Sequence, residues 1–219
     1  MKTSMCPKDI VTLGINSKLV PGLINNENHN LDQINKVMKD LTKEQYNLEE
    51  VFGQFCQLGE FIAVPVDMAF EYASNVYSLS EWTFSMRNFE YIGGGIYKSE
   101  ERLGKNTNVY TKVEAFPECG IVDYLCAWDQ ASELWMRYYF RFIDAMPTLR
   151  KPGTVVLWTN CKHPYYDRNK NHPDYISKEQ ARKDRAWVGD FWLNFDAIHK
   201  IEMNNMKRIL EYRFMKAQR

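Results

Sequence analysis

The chain has 219 residues, 45% of them hydrophobic and 26% charged, and its 28 basic residues balance its 28 acidic ones. A chain of this size and composition buries a full core, so neither a disulfide nor a metal is needed to keep it folded. The balanced charge excludes the broad basic surface of a dedicated nucleic-acid or anionic-membrane binder.

The cysteines and the first residues bear on the cellular compartment. Five cysteines are an odd number, and none of them forms a CxxC pair, which favours free thiols over a disulfide framework or a zinc ribbon. Early charges and the lack of a long apolar run in residues 1–30 argue against a signal peptide or a membrane span. We therefore expect a cytoplasmic protein with no nucleic-acid partner, no membrane span and no cofactor.

Residues 1–50 are predicted to form an N-terminal appendage. A polar arm precedes apolar residues at helical spacing between Leu31 and Leu41, which predict a first helix. Thr42 followed by Gln45 has the spacing of a capping box and predicts a second short helix through residue 50.

Residues 51–219 carry the pattern of a single α+β domain. A first strand over 51–64 leads through Pro65 into a helix, and a further helical turn is centred on Glu81. Six more strands are predicted over 86–92, 96–101, 107–116, 120–128, 134–145 and 154–162. The short turns between them require antiparallel neighbours. The long helix predicted over 185–213 is the only element able to cover one face of such a curved sheet.

Side-chain alternation in three of these strands predicts one face lined with rings and small residues. The inward set is Val109, Thr111, Val113, Ala115, Val122, Tyr124, Cys126, Trp128, Met136, Tyr138, Phe140 and Phe142. The outward set is Tyr110, Lys112, Glu114, Asp123, Trp135, Arg137, Tyr139 and Arg141. Its charges predict a solvated outer face, with the alternative that the alternation is reversed and the arginines line a pocket. Because buried tyrosine and tryptophan tips need partners, the inward set favours a pocket for an aromatic or oxygenated ligand, with a closed core as the alternative.

The terminal helix carries the sharpest pair of candidate functional residues. Its apolar stripe comprises Val188, Phe191, Trp192, Phe195, Ile198, Met206, Ile209 and Leu210. His199 and Glu202 lie three residues apart within that stripe, so both should face the sheet next to each other. A histidine held by a carboxylate on a pocket wall can transfer protons near neutral pH, and a purely structural pair is the alternative. Lys200 and Lys207 lie outside the stripe and are expected in solvent.

A polar stretch after the last strand contains a metal-like group, His163, Asp167, His172 and Asp174. Its spacing matches no helix face and no known ligand pattern, so no metal site is predicted. The stretch is interpreted as a loop beside the mouth of the pocket, in which Tyr165 and Tyr166 form part of a lid.

Residues 61–72, FIAVPVDMAFEY, and residues 79–82, LSEW, resemble the opening of START-like (SRPBCC, Bet v 1-like) domains. That superfamily includes polyketide cyclases, aromatases and lipid-transfer domains, and its members begin with a strand, a proline step into a helix and an early tryptophan. The resemblance extends over about residues 51–214 through element order, whereas residues 1–50 and the loop over 163–183 are additions. It implies a helix-grip fold, in which a seven-stranded curved antiparallel sheet surrounds a long C-terminal helix and leaves a deep cavity.

Two hypotheses about function use this cavity. In the first, which the resemblance suggests, the protein is a polyketide cyclase or aromatase in which His199 and Glu202 transfer protons for cyclisation and dehydration. Its substrate contacts are Tyr124, Tyr138, Trp82, Trp128, Thr111, Phe140 and Phe195. In the second, the protein is a non-catalytic carrier or sensor of a lipid-like or other apolar ligand. Both expect a small hydrophobic or aromatic ligand and leave a homodimer open, and a third option is that the N-terminal helices bind a partner protein.

Overall fold

The computed structural model describes residues 20–25, 31–46, 55–103, 107–128, 133–167, 192 and 194–218. Its centre is one antiparallel sheet of seven strands: β1 (Phe55–Ile62), β2 (Met86–Gly93), β3 (Ile96–Glu101), β4 (Thr107–Phe116), β5 (Ile121–Trp128), β6 (Met136–Asp144) and β7 (Thr154–Cys161). The described α-helices are α1 (Leu31–Tyr46), α2 (Val66–Ser74), α3 (Leu79–Trp82), α4 (Ala145–Leu149) and α5 (Phe195–Ala217). The predicted α+β fold, a seven-stranded antiparallel sheet gripping a long C-terminal helix, is confirmed.

One long-range pairing joins the beginning of the sheet to its end. Strands β2 to β7 follow one another as a meander, whereas β1 pairs with β7, so the spatial order is β1-β7-β6-β5-β4-β3-β2. In this pairing Phe55 lies opposite Cys161 and Ile62 lies opposite Thr154. Short turns set the register of the meander locally, while the β1–β7 pairing forms only when distant parts of the chain meet.

The first elements of the domain agree closely with the prediction. Helix α2 begins directly after Pro65, whose fixed φ suits the entry to a helix, and α3 is the helical turn expected at Glu81. The strand predicted over 51–64 is observed as β1, and residues 51–54 lie outside the described residues. The short helix α4 is absent from the sequence prediction; the side chain of Asp144 caps its beginning.

A single helix lies in the described part of the N-terminal region, where the sequence predicts two. Helix α1 runs unbroken through Thr42, so the predicted capping box lies inside a helix, and residues 47–50 lie outside the described residues. Residues 43–45 are all good helix formers, which lets the first helix continue. The helix packs against α5 and buries Ile34 and Met38.

Helix α5 lies over one face of the sheet. The sequence predicts a start near residue 185; residues 185–191 lie outside the described residues, and the helix is described from Phe195. The described members of its predicted stripe are all buried. Ala197 and Ile201 lie off the stripe and are buried as well, so the helix is covered on more than its stripe. Among the described helices, none combines the length and apolar character that crossing a bilayer requires.

The alternation of buried and exposed side chains confirms the predicted orientation of the sheet. On β6, Met136, Phe140 and Phe142 are buried, whereas Arg137 and Arg141 are exposed. The reversed alternative, in which these arginines line a pocket, is therefore wrong.

On the outer face and at the strand ends, the structure confirms one predicted side-chain position and corrects two. Lys112 Nζ lies 2.7 Å from Glu114 Oε1, a solvated pair of the predicted kind. Ala115, predicted inside, is exposed because it lies near the end of β4. Trp135, predicted outside, is buried because it precedes β6 and packs on Trp128, with 5.5 Å between the ring centroids.

Two lysines of α5 that the sequence places in solvent instead pair with the sheet. Lys200 Nζ and Lys207 Nζ each lie 2.7 Å from a carboxylate oxygen of Glu60 on β1. Burial by itself raises the pKa of Glu60, but hydrogen bonds from the two lysines outweigh it and hold that pKa below its usual value. The three side chains tie α5 to the first strand and so help to fix the space between helix and sheet.

Candidate functional site

A cavity of about 70 Å³ lies between the sheet and α5. Seven rings dominate its lining, those of Trp82, Tyr124, Trp128, Tyr138, Phe140, Trp158 and Phe195. The polar part of the lining includes Glu101, His199 and Glu202. All the site residues predicted from the sequence line this cavity, with the exception of Thr111.

The volume of the cavity limits the ligand it can hold. At roughly 10–15 Å³ for each water position, a space of about 70 Å³ holds roughly five to seven waters. Pockets for drug-sized molecules are larger, about 300–1,000 Å³. A compound with several fused rings would have to displace side chains of the lining, so the volume favours a ligand no larger than about one ring.

His199 and Glu202 form the pair that their spacing predicts. His199 Nδ1 lies 2.9 Å from Glu202 Oε2, and both residues are buried. The other carboxylate oxygen, Glu202 Oε1, accepts a hydrogen bond from the amide N–H of Phe84 at 2.8 Å. On the far side of the imidazole, Nε2 lies 3.4 Å from Asn160 Nδ2. Glu202 therefore orients the imidazole and also joins α5 to the segment that follows α3.

Tyr138 links the cavity to the segment after β7. Its hydroxyl lies 3.4 Å from Tyr166 Oη and 3.6 Å from the sulfur of Met136. Burial raises the pKa of both tyrosine hydroxyls above its ordinary value, so each stays protonated at neutral pH. Tyr166 packs on Trp128 with 5.2 Å between the ring centroids. Of the predicted lid pair, Tyr166 is thus buried behind the cavity wall, while Tyr165 is only partly buried.

Two predicted substrate contacts already hydrogen-bond to the protein through their polar atoms. Tyr124 Oη donates to the carbonyl oxygen of Ala73 at 2.6 Å, and Trp82 Nε1 donates to Ser78 Oγ at 3.2 Å. Their rings line the cavity, but their polar tips are engaged elsewhere. Thr111 lies outside the lining, and its hydroxyl is 3.4 Å from a cysteine thiol on β5.

Glu101, the last residue of β3, is a candidate that the sequence analysis missed. It lines the cavity, and only 8% of the residue is exposed. Its Oε1 accepts a hydrogen bond from the amide N–H of Leu103 at 2.9 Å, and the Ser85 hydroxyl hydrogen-bonds to the same carboxyl group. Burial outweighs these hydrogen bonds and, with a smaller effect of Glu202, raises the pKa of Glu101 to about 7. The alternation of inward and outward side chains along β3 places Glu101 on the inner face. The sequence gives no sign of this, because the charged residues 100–102 look like a turn in solvent.

Trp158 on β7 is the second residue that the sequence analysis missed. It is buried, it lines the cavity, and its ring centroid lies 4.4 Å from that of His199. No residue in the described part of the chain accepts a hydrogen bond from its indole N–H. A buried donor without a partner costs about 1–3 kcal/mol, so an acceptor brought in by a ligand would relieve that cost.

Metal ligation finds no support among the described residues, which contain no group of three His, Cys, Asp or Glu side chains able to hold an ion. His163 Nδ1 accepts a hydrogen bond from the amide N–H of Tyr165 at 3.2 Å, and its ring lies 5.3 Å from that of Trp135. His172 and Asp174 lie outside the described residues, so the absence of a metal site in this stretch stays a prediction.

Comparisons with known proteins find structural similarity at low sequence identity. The sequence matches no protein-family model and no curated protein. The Aha1 dimer from Colwellia psychrerythraea is similar with a TM-score of 0.46 at 14% identity, over 72% of this chain and 96% of that chain. A START superfamily protein from Mycobacterium smegmatis reaches 0.43 at 10% identity, over 75% and 99%. A protein from Bacillus halodurans reaches 0.46 at 12% identity, over 74% and 99%.

Proposed function

We propose that the protein binds a small, mostly apolar molecule of about one ring in the cavity between the sheet and α5. The observation that carries this proposal is the cavity itself: a space of about 70 Å³ between sheet and helix, walled by seven aromatic rings and a few polar groups. Such a combination of apolar walls and sparse polar groups is typical of small-molecule sites. A purely structural core of the same residues would be expected to close around so much buried apolar surface.

The polar groups of the lining support the same proposal. The indole N–H of Trp158 lacks a partner among the described residues, and Glu101 is a buried carboxyl group on the same wall. Because buried polar groups are normally satisfied, these two groups are the ones that a ligand would engage.

The test is binding of benzyl alcohol, a one-ring probe with a hydroxyl group, followed by isothermal titration calorimetry. Val109→Phe places a ring in the cavity, since Val109 lines it, and should weaken binding at least tenfold (on the order of 1.4 kcal/mol). Val113→Phe is the matched control, because Val113 lies four residues further along the same face of β4 and outside the lining. Equal affinity in Val109→Phe and wild type, or no binding at all, would reject the proposal. Native mass spectrometry of the purified protein would show whether a ligand of this size is retained.

A second candidate function is proton-transfer catalysis in the same cavity, the chemistry of a cyclase or aromatase. It is favoured by the 2.9 Å contact between His199 Nδ1 and Glu202 Oε2, which orients a buried imidazole on the cavity wall. The hydroxyl of Tyr124 already donates to the carbonyl oxygen of Ala73. In a catalytic protein, Tyr138 would therefore be the tyrosine that orients a carbonyl group of the substrate. The volume favours a one-ring substrate over a multi-ring polyketide.

Hydrogen exchange separates the two candidates. Acetophenone in D₂O exchanges its α-protons slowly, and a catalytic His199 would accelerate this exchange by taking the proton and returning a deuteron. His199→Phe should then abolish the acceleration while sparing affinity, and His163→Phe, which lies outside the lining, is the control. A wild-type protein that binds acetophenone without accelerating exchange is a carrier or sensor.

A further inference from the structure

We propose that the ligand of this cavity is a cation: a small amine whose ammonium group pairs with Glu101 while its apolar body lies among the rings. This inference rests on the proposed binding function and names its ligand class. It starts from the charges of the cavity wall, which are acidic. Among the described lining residues the ionisable side chains of ordinary acid or base strength are Glu101, Glu202 and His199, and no lysine or arginine is present.

The two carboxyl groups of the wall differ in what they already contact. Each carboxylate oxygen of Glu202 already has a partner: Oε2 lies 2.9 Å from His199 Nδ1, and Oε1 accepts a hydrogen bond from a backbone N–H. Glu101 receives hydrogen bonds only from neutral groups, the Leu103 amide and the Ser85 hydroxyl. Arg87 attracts it from a distance but donates to the carbonyl oxygens of residues 83 and 86. Within the described residues, Glu101 is therefore the cavity-wall charge that lacks a contacting cation.

The rings of the wall suit the same ligand class. Trp82, Trp128 and Trp158 line the cavity together with Tyr138. Aromatic faces attract cations within about 6 Å of their centroids, tryptophan most strongly, and the attraction grows when water is excluded. A cluster of rings beside one carboxylate is the arrangement that recognises ammonium groups, since each part would bind the cation more strongly than a neutral molecule of the same shape.

Other ligand charges fit the wall less well. An anion would approach two carboxyl groups in a buried space, where like charges repel strongly. A neutral apolar ligand would exclude water from Glu101 and leave its charge without a partner, which forces the group to take up a proton. An ammonium group instead pairs with the ionised form and uses the hydrogen bonds from Ser85 and Leu103 that already support it.

Three probes of one shape test the charge of the ligand: benzylamine, benzyl alcohol and benzoate, titrated at pH 8 by calorimetry. We expect benzylamine to bind at least tenfold more tightly than benzyl alcohol and benzoate not to bind. Glu101→Gln should weaken benzylamine at least tenfold and should not weaken benzyl alcohol, since it removes the charge that a neutral ligand leaves without a partner; retained binding of benzyl alcohol also shows that the variant keeps its cavity. Glu100→Gln, which removes an exposed carboxylate of the same strand, should change neither affinity.

The pH dependence gives an independent readout. The groups that act on Glu101 are Ser85, the Leu103 amide, Glu202 and Arg87, and together with burial they place its pKa at about 7. Lowering the pH from 8 to 5 should therefore weaken benzylamine by on the order of 100-fold, because only the ionised carboxylate pairs with the amine. Benzyl alcohol should not weaken as the pH falls, because its binding does not need the ionised carboxylate.

The outcomes separate this inference from the proposed function. If benzyl alcohol binds as tightly as benzylamine and binding is lost in Val109→Phe, the cavity binds a ligand and the cation inference is wrong. The same conclusion follows if Glu101→Gln leaves the benzylamine affinity unchanged. If none of the three probes binds the wild-type protein, both the binding function and the cation inference are overturned.

Discussion

Replacing Glu101 by glutamine should stabilise the protein at neutral pH and above, and progressively less at acidic pH. The reason lies in the burial of Glu101, which raises the pKa of its carboxyl group from 4.5 to about 7 in the folded protein. Below pH 4.5 the group is protonated in both the folded and the unfolded chain, and the charge makes no difference. Between pH 4.5 and pH 7 the unfolded chain releases this proton, whereas the folded protein keeps it, so the wild type loses stability as the pH rises; above about pH 7 the carboxyl group is ionised in both states and the loss is complete.

The size of the effect follows from the two pKa values. Each factor of ten in acidity corresponds to about 1.4 kcal/mol, so a rise from 4.5 to about 7 corresponds to about 3 kcal/mol of lost stability at high pH. The free energy of unfolding of Glu101→Gln, measured relative to wild type, should therefore rise by about 3 kcal/mol between pH 4.5 and pH 7 and level off above. The glutamine also changes the hydrogen bonds to Ser85 and Leu103. This shifts the free energy of unfolding equally at every pH and leaves its change with pH unaltered.

Urea unfolding followed by tryptophan fluorescence, repeated at half-unit steps from pH 4 to pH 8, measures this difference curve. Glu100→Gln is the matched control, because it removes the neighbouring carboxylate on β3, whose side chain is 54% exposed. An exposed charge contributes little, so the control curve should stay within about 0.5 kcal/mol of zero. A flat curve for Glu101→Gln would show that the carboxyl group is solvated in the folded protein, and the electrostatic description of the cavity wall would then be wrong.

Two further predictions concern stability away from the cavity. Gly120→Ala should lower the melting temperature clearly more than Gly94→Ala. Both glycines have φ near +60°, so the backbone strain of an alanine is similar at the two positions. An added Cβ meets nothing within 4 Å at Gly94, whereas at Gly120 it collides with the carbonyl oxygen of Phe142. Similar melting temperatures for the two variants would contradict this packing. Arg213→Met should lower the free energy of unfolding in urea by about 3–5 kcal/mol, because it leaves the buried carboxylate of Glu81 without the cation that lies 2.8 Å away at Arg213 Nη2. Adding Glu81→Gln to this variant should restore part of the loss. A double variant no more stable than the single one would show that the pair is not coupled.

The parts of the fold that local sequence could predict are those with local causes. The step through Pro65 fixes the start of α2, and the alternation along β6 sorts rings from arginines. His199 and Glu202 meet because residues three apart on a helix are neighbours wherever the helix packs. In each case a short stretch of chain contains the whole physical reason.

The missed features depend on residues that are distant in the sequence. Glu101 closes a charged run that looks solvated, yet it is buried in the cavity wall, which it shares with the distant residues Ser85 and Glu202. Trp158 meets the ring of His199 across the gap between sheet and helix. Lys200 and Lys207 find Glu60 because β1 lies at the sheet edge beside α5, a contact that no local pattern encodes.

The amino-acid sequence by itself therefore determined the elements, the antiparallel meander and the inward face of the sheet, since periodicity, turns and helix caps act over a few residues. Only the tertiary structure decided the size of the cavity and the charge of its wall, since both depend on how closely α5 approaches the sheet. That approach is set by packing between segments more than a hundred residues apart, such as the contact of Lys200 with Glu60. Burial then changes the chemistry of Glu101 from an ordinary surface carboxylate to a group that titrates near neutral pH.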